Sequence, residues 1–448
     1  MFKFFSRAKC LITPLFRTFV EKDEVMVRCN MSIKGLKDDS LSYVYSAFSR
    51  YYEESANALS FPSLMEKREF AFLLFNEQIM LRHKSFKNQS ELASFLKSIT
   101  PSDVYYSCAY YADPVADMDR KGWAGADLVF DIDADHIQTS CNKIHDEWIC
   151  GSCGFNGRGL TPESCSVCGS KKFNVKSWPC ELCLESARKE TIKLVDVLME
   201  DFAFSDSEIR LFFSGHRGYH VHVESELVRP FDAIERKEIV DYVSGLGLDL
   251  SFYGLDLKNR RGVQDFANQH SVNFGWYRRV AHEIQNFILN AGEEDLREIG
   301  LGKNVALAIL RDKDFILKRL LDTGTWSFVR GVGLESWKKI VKHCVRLQSV
   351  QIDTVVTTDT HRLIRLTDTL HGKTGFKKVE FSLSAIHDFD PFKSAIAFKG
   401  GATTVFVSDA PEFRLGDETF GPYKKQRVEL PTAAAVFLIC KGKAEVVE

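Results

Sequence analysis

The chain has 448 residues, 45% hydrophobic and 27% charged, with a formal net charge of -2. That length suits two or more packed units, and the composition is ordinary for a globular protein. Near-neutral charge gives no global pull toward nucleic acid, so any such binding must come from local patches. No run of 18 uncharged apolar residues is present to span a bilayer.

The start, "MFKFFSRAKCLITPLFRTFVEK", is apolar and basic, but Arg7, Lys9 and Arg17 cut its apolar run, which argues against a secretory signal. Residues 1–40 are expected to be an extension, either disordered or lying before a later start at Met26 or Met31. A transit peptide and an amphipathic tail are the alternatives. Helices are predicted from Leu41 to Ser98, where "SYVYSAFSRYY" and "REFAFLLF" carry apolar positions at helical spacing and "SELASFLKSI" opens on a capping Ser. From Val104 to Asp133 the pattern turns to strands, "VYYSCAYY" and "ADLVFDID". A charged helix, "LESARKETIKLVDVLMEDF", leads into the strand "EIRLFFSG". Residues 230–347 read as mainly helical, with basic spots at "LKNRRG" and "GWYRRV". Strands are expected again at "SVQIDTVV", "VEFSLSAI", "TTVFVSD" and "AAVFLICKG". Strands flanking a helical block predict an α/β fold, a discontinuous domain with helices inserted into it.

Three stretches carry chemistry. In "DLVFDIDAD", Phe130 and Ile132 point to one side of a strand and Asp131 and Asp133 to the other. Two carboxylates on one strand face repel unless a cation lies between them, and Mg²⁺ takes such oxygen ligands together with substrate phosphates. A solvated acidic strand end is the competing reading. "QIDTVVTTDTHRLIRLTDTLHGKTG" adds Asp353 on another strand-like run, with Arg362, Arg365, His371 and Lys373 nearby; Asp359 and Asp368 read as turn or cap residues.

In "FFSGHRGYHVHV", Gly215 and Gly218 allow crowded or positive-φ backbone. Tyr219, Val221 and Val223 alternate with His220 and His222, so the imidazoles share the face opposite an apolar one. Beside Arg217 that composition suits a phosphate. A hairpin with incidental polar residues is the alternative.

Of 12 cysteines, seven cluster at Cys141, Cys150, Cys153, Cys165, Cys168, Cys180 and Cys183. So tight a cluster in so long a chain points to metal rather than disulfides, and to a reducing, cytoplasmic compartment. Cys150, Cys153, Cys165 and Cys168 have zinc-ribbon spacing. Cys141, His145, Cys180 and Cys183 bracket the ribbon as a second candidate set. Four protein ligands leave no open position, so neither site is expected to be catalytic.

The stretches "VFDID", "FSGHRGYHVHV" and "IDTVVTTDTHRLIRLTDTLHGKTG", in that order, resemble the small, catalytic subunit of the archaeal and eukaryotic DNA primases. "FGWYRRV" and "GPYKKQRVELPTAAAVFLICKGKAEVV" look like archaeal members, and the similarity runs from about Leu41 to the C-terminus. The resemblance implies an α/β primase domain with mixed sheets over residues 41–448, holding a zinc-binding insertion at 141–183 and a mainly helical one at 230–347. It implies template-directed synthesis of short primers on single-stranded DNA from nucleoside triphosphates, for replication. Asp131, Asp133 and Asp353 would bind two Mg²⁺ or Mn²⁺ ions. Ser214, Arg217, His220, Arg365 and His371 would hold the triphosphate; the position before Arg217 is basic in some members and is His216 here, which leaves its role open, and His222 has no firm counterpart. The family's zinc knuckle most resembles Cys141, His145, Cys180 and Cys183, with the ribbon inserted in it; one tetrad or both would hold zinc. A large primase subunit is the implied partner in a heterodimer. The rivals are a related repair polymerase that extends existing ends, and a non-catalytic zinc-ribbon subunit that binds nucleic acid.

Overall fold

The computed structural model describes residues 27–28, 38–75, 79–248, 274–323 and 330–447. The expected extension at 1–40 lies outside them except for 27–28 and 38–40, and "LKNRRG" lies outside them entirely. The chain divides into two compact units. One is drawn from Met1–Ala124, Leu363–Lys378 and Ile396–Glu448, the other from Gly125–Arg362 and Val379–Ala395. Both mix helices with several small sheets, so the fold is α/β as the sequence predicts. No helix among the described residues is long and apolar enough to cross a membrane.

In the first unit the helix Asp38–Ser55 buries Val44, Phe48, Tyr51 and Tyr52, one stripe at helical spacing. "REFAFLLF" departs from expectation. Phe70–Leu73 is a strand inside a five-stranded sheet, between Ile79–Lys84 and Asp103–Ser107, and all four of its residues are buried. A strand covered on both faces shows no alternation, so a short apolar run of this kind reads equally well as helix. "AAVFLICKG" errs the other way: Thr432–Cys440 is a helix whose residues from Ala434 onward are all buried.

The second unit is organised by a four-stranded antiparallel sheet in the order Val379–Phe381, Ile209–Phe213, Gly218–Val223, Leu128–Asp133. The helix Glu181–Glu200 packs on its last two strands. Asp353 sits on no strand. Its carboxylate accepts from Val355 N at 3.0 Å and so caps the short helix Thr354–Thr358. The β-branched run had suggested a strand, but the cap decides the local structure. Helices Gly275–Asn290, Lys303–Arg311 and Leu334–Gln348 gather a separate core around Val280, Ile284, Ile309, Trp337 and Ile340. The cysteine-rich segment forms its own small sheet, with Glu147–Cys150 between Asn156–Arg158 and Phe173–Lys176.

Candidate active site and metal clusters

The acid strand Leu128–Asp133 and the histidine strand Gly218–Val223 pair so that Asp131 faces His220 and Asp133 faces Gly218. Phe130 and Ile132 are fully buried, whereas the Asp131 and Asp133 side chains keep 23% and 28% of their surface. Strand alternation therefore aims both carboxylates away from the core. His220 Nε2 lies 3.6 Å from Asp131 Oδ1. Gly218 is needed at its place, because a Cβ there would sit 2.3 Å from the Ile132 carbonyl oxygen. Gly215 supplies the positive φ of the preceding turn, at 88°. Asp353 reaches the pair from far along the chain: its N–H donates to the Asp131 carbonyl at 2.9 Å. The backbone thus brings Asp353 beside Asp131.

Both faces of the histidine strand are covered. His222 is buried against Phe212, with ring centroids 4.5 Å apart, and stacks parallel to His220. In the turn before it, Ser214 Oγ accepts from His216 N at 3.3 Å, and His216 Nε2 lies 3.2 Å from Ser177 Oγ. Arg217 is 1% exposed and held by carboxylates. Its Nη1 and Nη2 donate to Asp146 at 2.9 and 2.8 Å, Nη2 also meets Asp135, and Nε lies 4.0 Å from Asp133. Burial pulls the guanidinium down to about 10, against the pull of Asp133, so it stays charged at neutral pH.

Arg365 and His371 belong to the first unit, where both gather around Asp103. Arg365 Nη1 donates to Asp103 Oδ1 and to the Leu370 carbonyl, and Gly372 N donates to the same carboxylate oxygen at 3.1 Å. His371 Nδ1 lies 3.7 Å from it. Asp359 serves a turn, accepting from His361 N. Asp368 instead anchors Ser60, whose N and Oγ donate to it at 3.1 and 2.8 Å.

Two tetrads each bring four ligand atoms within 4.8 Å of one another, and each can hold a metal ion. In the inner one, Cys141 Sγ lies 3.4 Å from Cys183 Sγ, 3.8 Å from Cys180 Sγ and 3.4 Å from His145 Nε2. His145 Nε2 is 3.1 Å from Cys180 Sγ. In the outer one, the pairs Cys150–Cys168 and Cys153–Cys165 are each 3.6 Å apart. All of these separations are far too long for disulfides. The Cys183 thiol and His145 hold Cys180 down at about 4; the backbone N–H groups of Cys153 and Ser152 hold Cys150 down at about 6. Thiolates of this kind can serve as metal ligands. Burial opposes the charged form of His145, but Asp146 and the sulfurs raise it to about 10, a potential that a cation at Nε2 would answer.

The sequence reading missed Asp103 and Asp146. Asp146 directly follows a candidate ligand histidine, which is a signal for an orienting carboxylate. Asp103 pairs with a residue 262 positions away and carries no local signal.

A family model described as DNA primase small subunit matches residues 176–383. Relatives named "DNA primase small subunit PriS" cover nearly the whole chain. The one from Archaeoglobus fulgidus is 34% identical over 90% of this chain and 97% of its own length. Those from Methanothrix thermoacetophila and Nitrosopumilus maritimus are 31% and 30% identical, each over 92% of this chain and 100% of their own length.

Proposed function

We infer the chemistry of the site from one fact: the chain belongs to the DNA primase small-subunit family. As a member it is a nucleotidyltransferase, the catalytic primase subunit. Our reading is that it builds short primers on single-stranded DNA from nucleoside triphosphates, for replication. A 3′-hydroxyl attacks the α-phosphorus of the incoming nucleotide, the new P–O bond forms, and pyrophosphate leaves.

Asp131, Asp133 and Asp353 are the residues that would hold two Mg²⁺ or Mn²⁺ ions. Their fit rests on hard oxygen donors, a half-exposed pair on one strand face, and a third acid tied to that pair by its backbone. Such ions, when bound, lower the pKa of the attacking hydroxyl and offset charge on the leaving pyrophosphate. In the second unit Ser214, Arg217 and His220 are the residues that would bind and orient the triphosphate, and in the first unit Arg365 and His371 are the candidate phosphate ligands. Charge-assisted bonds from arginine suit that task.

Zinc is the ion we assign to both tetrads. Tetrahedral zinc with sulfur at 2.3 Å has ligand–ligand edges of roughly 3.7 Å, which the sulfur separations of 3.4 to 3.8 Å approach. We assign the catalytic domain to residues 41–448, with 141–183 and 230–347 as insertions. A large primase subunit is the partner this reading implies, and a reducing cytoplasm is the compartment that unpaired thiols suit.

Family membership carries the reading, and the hydrogen bond from Asp353 N to the Asp131 carbonyl supports placing the third acid at the metal site. Asp131→Ala and Asp353→Ala should each cut unprimed synthesis on single-stranded DNA by on the order of 10³-fold. Metal content at the cysteine tetrads should not change. Retained synthesis in either variant overturns the assignment. Extension of a supplied primer without unprimed synthesis by the unaltered chain would favour the repair-polymerase rival.

A further inference from the structure

One carboxylate joins the inner tetrad to the phosphate loop. Asp146 is 2% exposed. Its Oδ1 accepts from His145 Nδ1 at 2.8 Å, from Trp178 N at 2.9 Å and from Arg217 Nη1 at 2.9 Å. Its Oδ2 accepts from Arg217 Nη2 at 2.8 Å. A histidine that ligates through Nε2 needs its other nitrogen held, and a carboxylate is a common means. An arginine that presents a fixed face needs a bidentate carboxylate. Here the same side chain does both. It also ties the two ends of the small sheet that carries the outer cysteines, since residues 146 and 178 flank its strands Glu147–Cys150 and Phe173–Lys176. A shift of His145 therefore moves the group that orients Arg217.

We propose that Asp146 is a positioning residue that couples ligation at Cys141, His145, Cys180 and Cys183 to the placement of Arg217, and so to affinity for a nucleoside triphosphate. The proposal rests on Arg217 being a triphosphate ligand.

The test uses the full chain and three readouts: metal per chain by elemental analysis, ATP binding by equilibrium titration, and KM against kcat in primer synthesis. Asp146→Asn keeps an acceptor for His145 and Trp178. It removes the charge and sets an amide N–H against Arg217 Nη2. Full metal content is expected, with KM and Kd for ATP raised roughly tenfold, the lower end of what lost orienting partners cost, and little change in kcat. His145→Cys keeps four metal ligands and deletes the link to Asp146. It should retain metal and weaken ATP binding in the same direction, and it decides the matter if Asp146→Asn fails to fold. Full metal content with unaltered ATP affinity in His145→Cys overturns the coupling. So does a lowered melting temperature in Asp146→Asn with KM unchanged, because that marks a merely structural staple. Arg217→Ala separates the two readings. If it leaves ATP affinity intact, the phosphate role of Arg217 fails; if it alone weakens binding, only the coupling fails.

Discussion

The two tetrads offer similar soft ligands yet are built into the molecule differently. The inner one draws Cys141 and His145 from the turn after the acid strand, and Cys180 and Cys183 from the start of the helix Glu181–Glu200. Cys180 is that helix's N-cap, its sulfur accepting from Cys183 N at 3.3 Å. The outer one takes Cys150 from the end of the strand Glu147–Cys150, Cys153 from the turn after it, and Cys165 and Cys168 from the loop between Asn156–Arg158 and Phe173–Lys176, and Cys153 and Cys168 are exposed. A metal that ties a sheet to a helix reports on the whole unit. A metal that closes a hairpin on itself reports on that hairpin. What a cluster is worth depends on what its ligands are attached to.

The largest effect should come from the inner set. Cys183 is fully buried in the first turn of the helix that covers the sheet. Cys183→Ser should lose one metal per chain and about 3 kcal/mol of stability, roughly 10 °C in melting temperature. Primer synthesis should fall with it. Wild-type melting and full metal content in this variant would mean the inner tetrad is not the staple described. Cys168→Ser should also lose one metal, but shift the main melting transition by no more than about 2 °C, with KM for ATP unchanged. An equal drop in melting temperature for both variants would erase the distinction between the tetrads.

The same contrast sets what could be read from the sequence. The outer tetrad is two CxxC pairs, and spacing alone reveals it, because each pair closes within one turn. The inner tetrad needs His145 and two cysteines 35 and 38 positions beyond it, so the sequence offered it only as a candidate. Asp131 and Asp133 were legible through alternation, since Phe130 and Ile132 must point into the core. The local structure at Asp353 was not, because a β-branched run resembles a strand unless the preceding acid is known to cap it. The partners of Arg217 were not legible at all. Asp146 lies 71 residues away, and only the pairing of the histidine strand with the acid strand brings the two together. Periodicity reports which face is buried; it does not report which buried charges meet.

The smallest expected effect probes the outer hairpin by itself. A Cβ on Gly157 would lie 2.4 Å from Cζ2 of Trp148, on the strand paired to it. The Trp148 ring is hemmed by Phe173 and Phe155, with centroids 5.5 and 5.8 Å away, so it cannot swing aside without disturbing both. Gly157→Ala should then cost the hairpin about 1–3 kcal/mol through overpacking. Because the strain is local, the outer metal should pass to a chelator faster while the inner metal leaves at its wild-type rate. Trp148 emission should shift to the red, and the main melting transition should stay in place. Parallel acceleration of both metals would show that the hairpin and the helix-anchored cluster open together, as one cooperative unit rather than two.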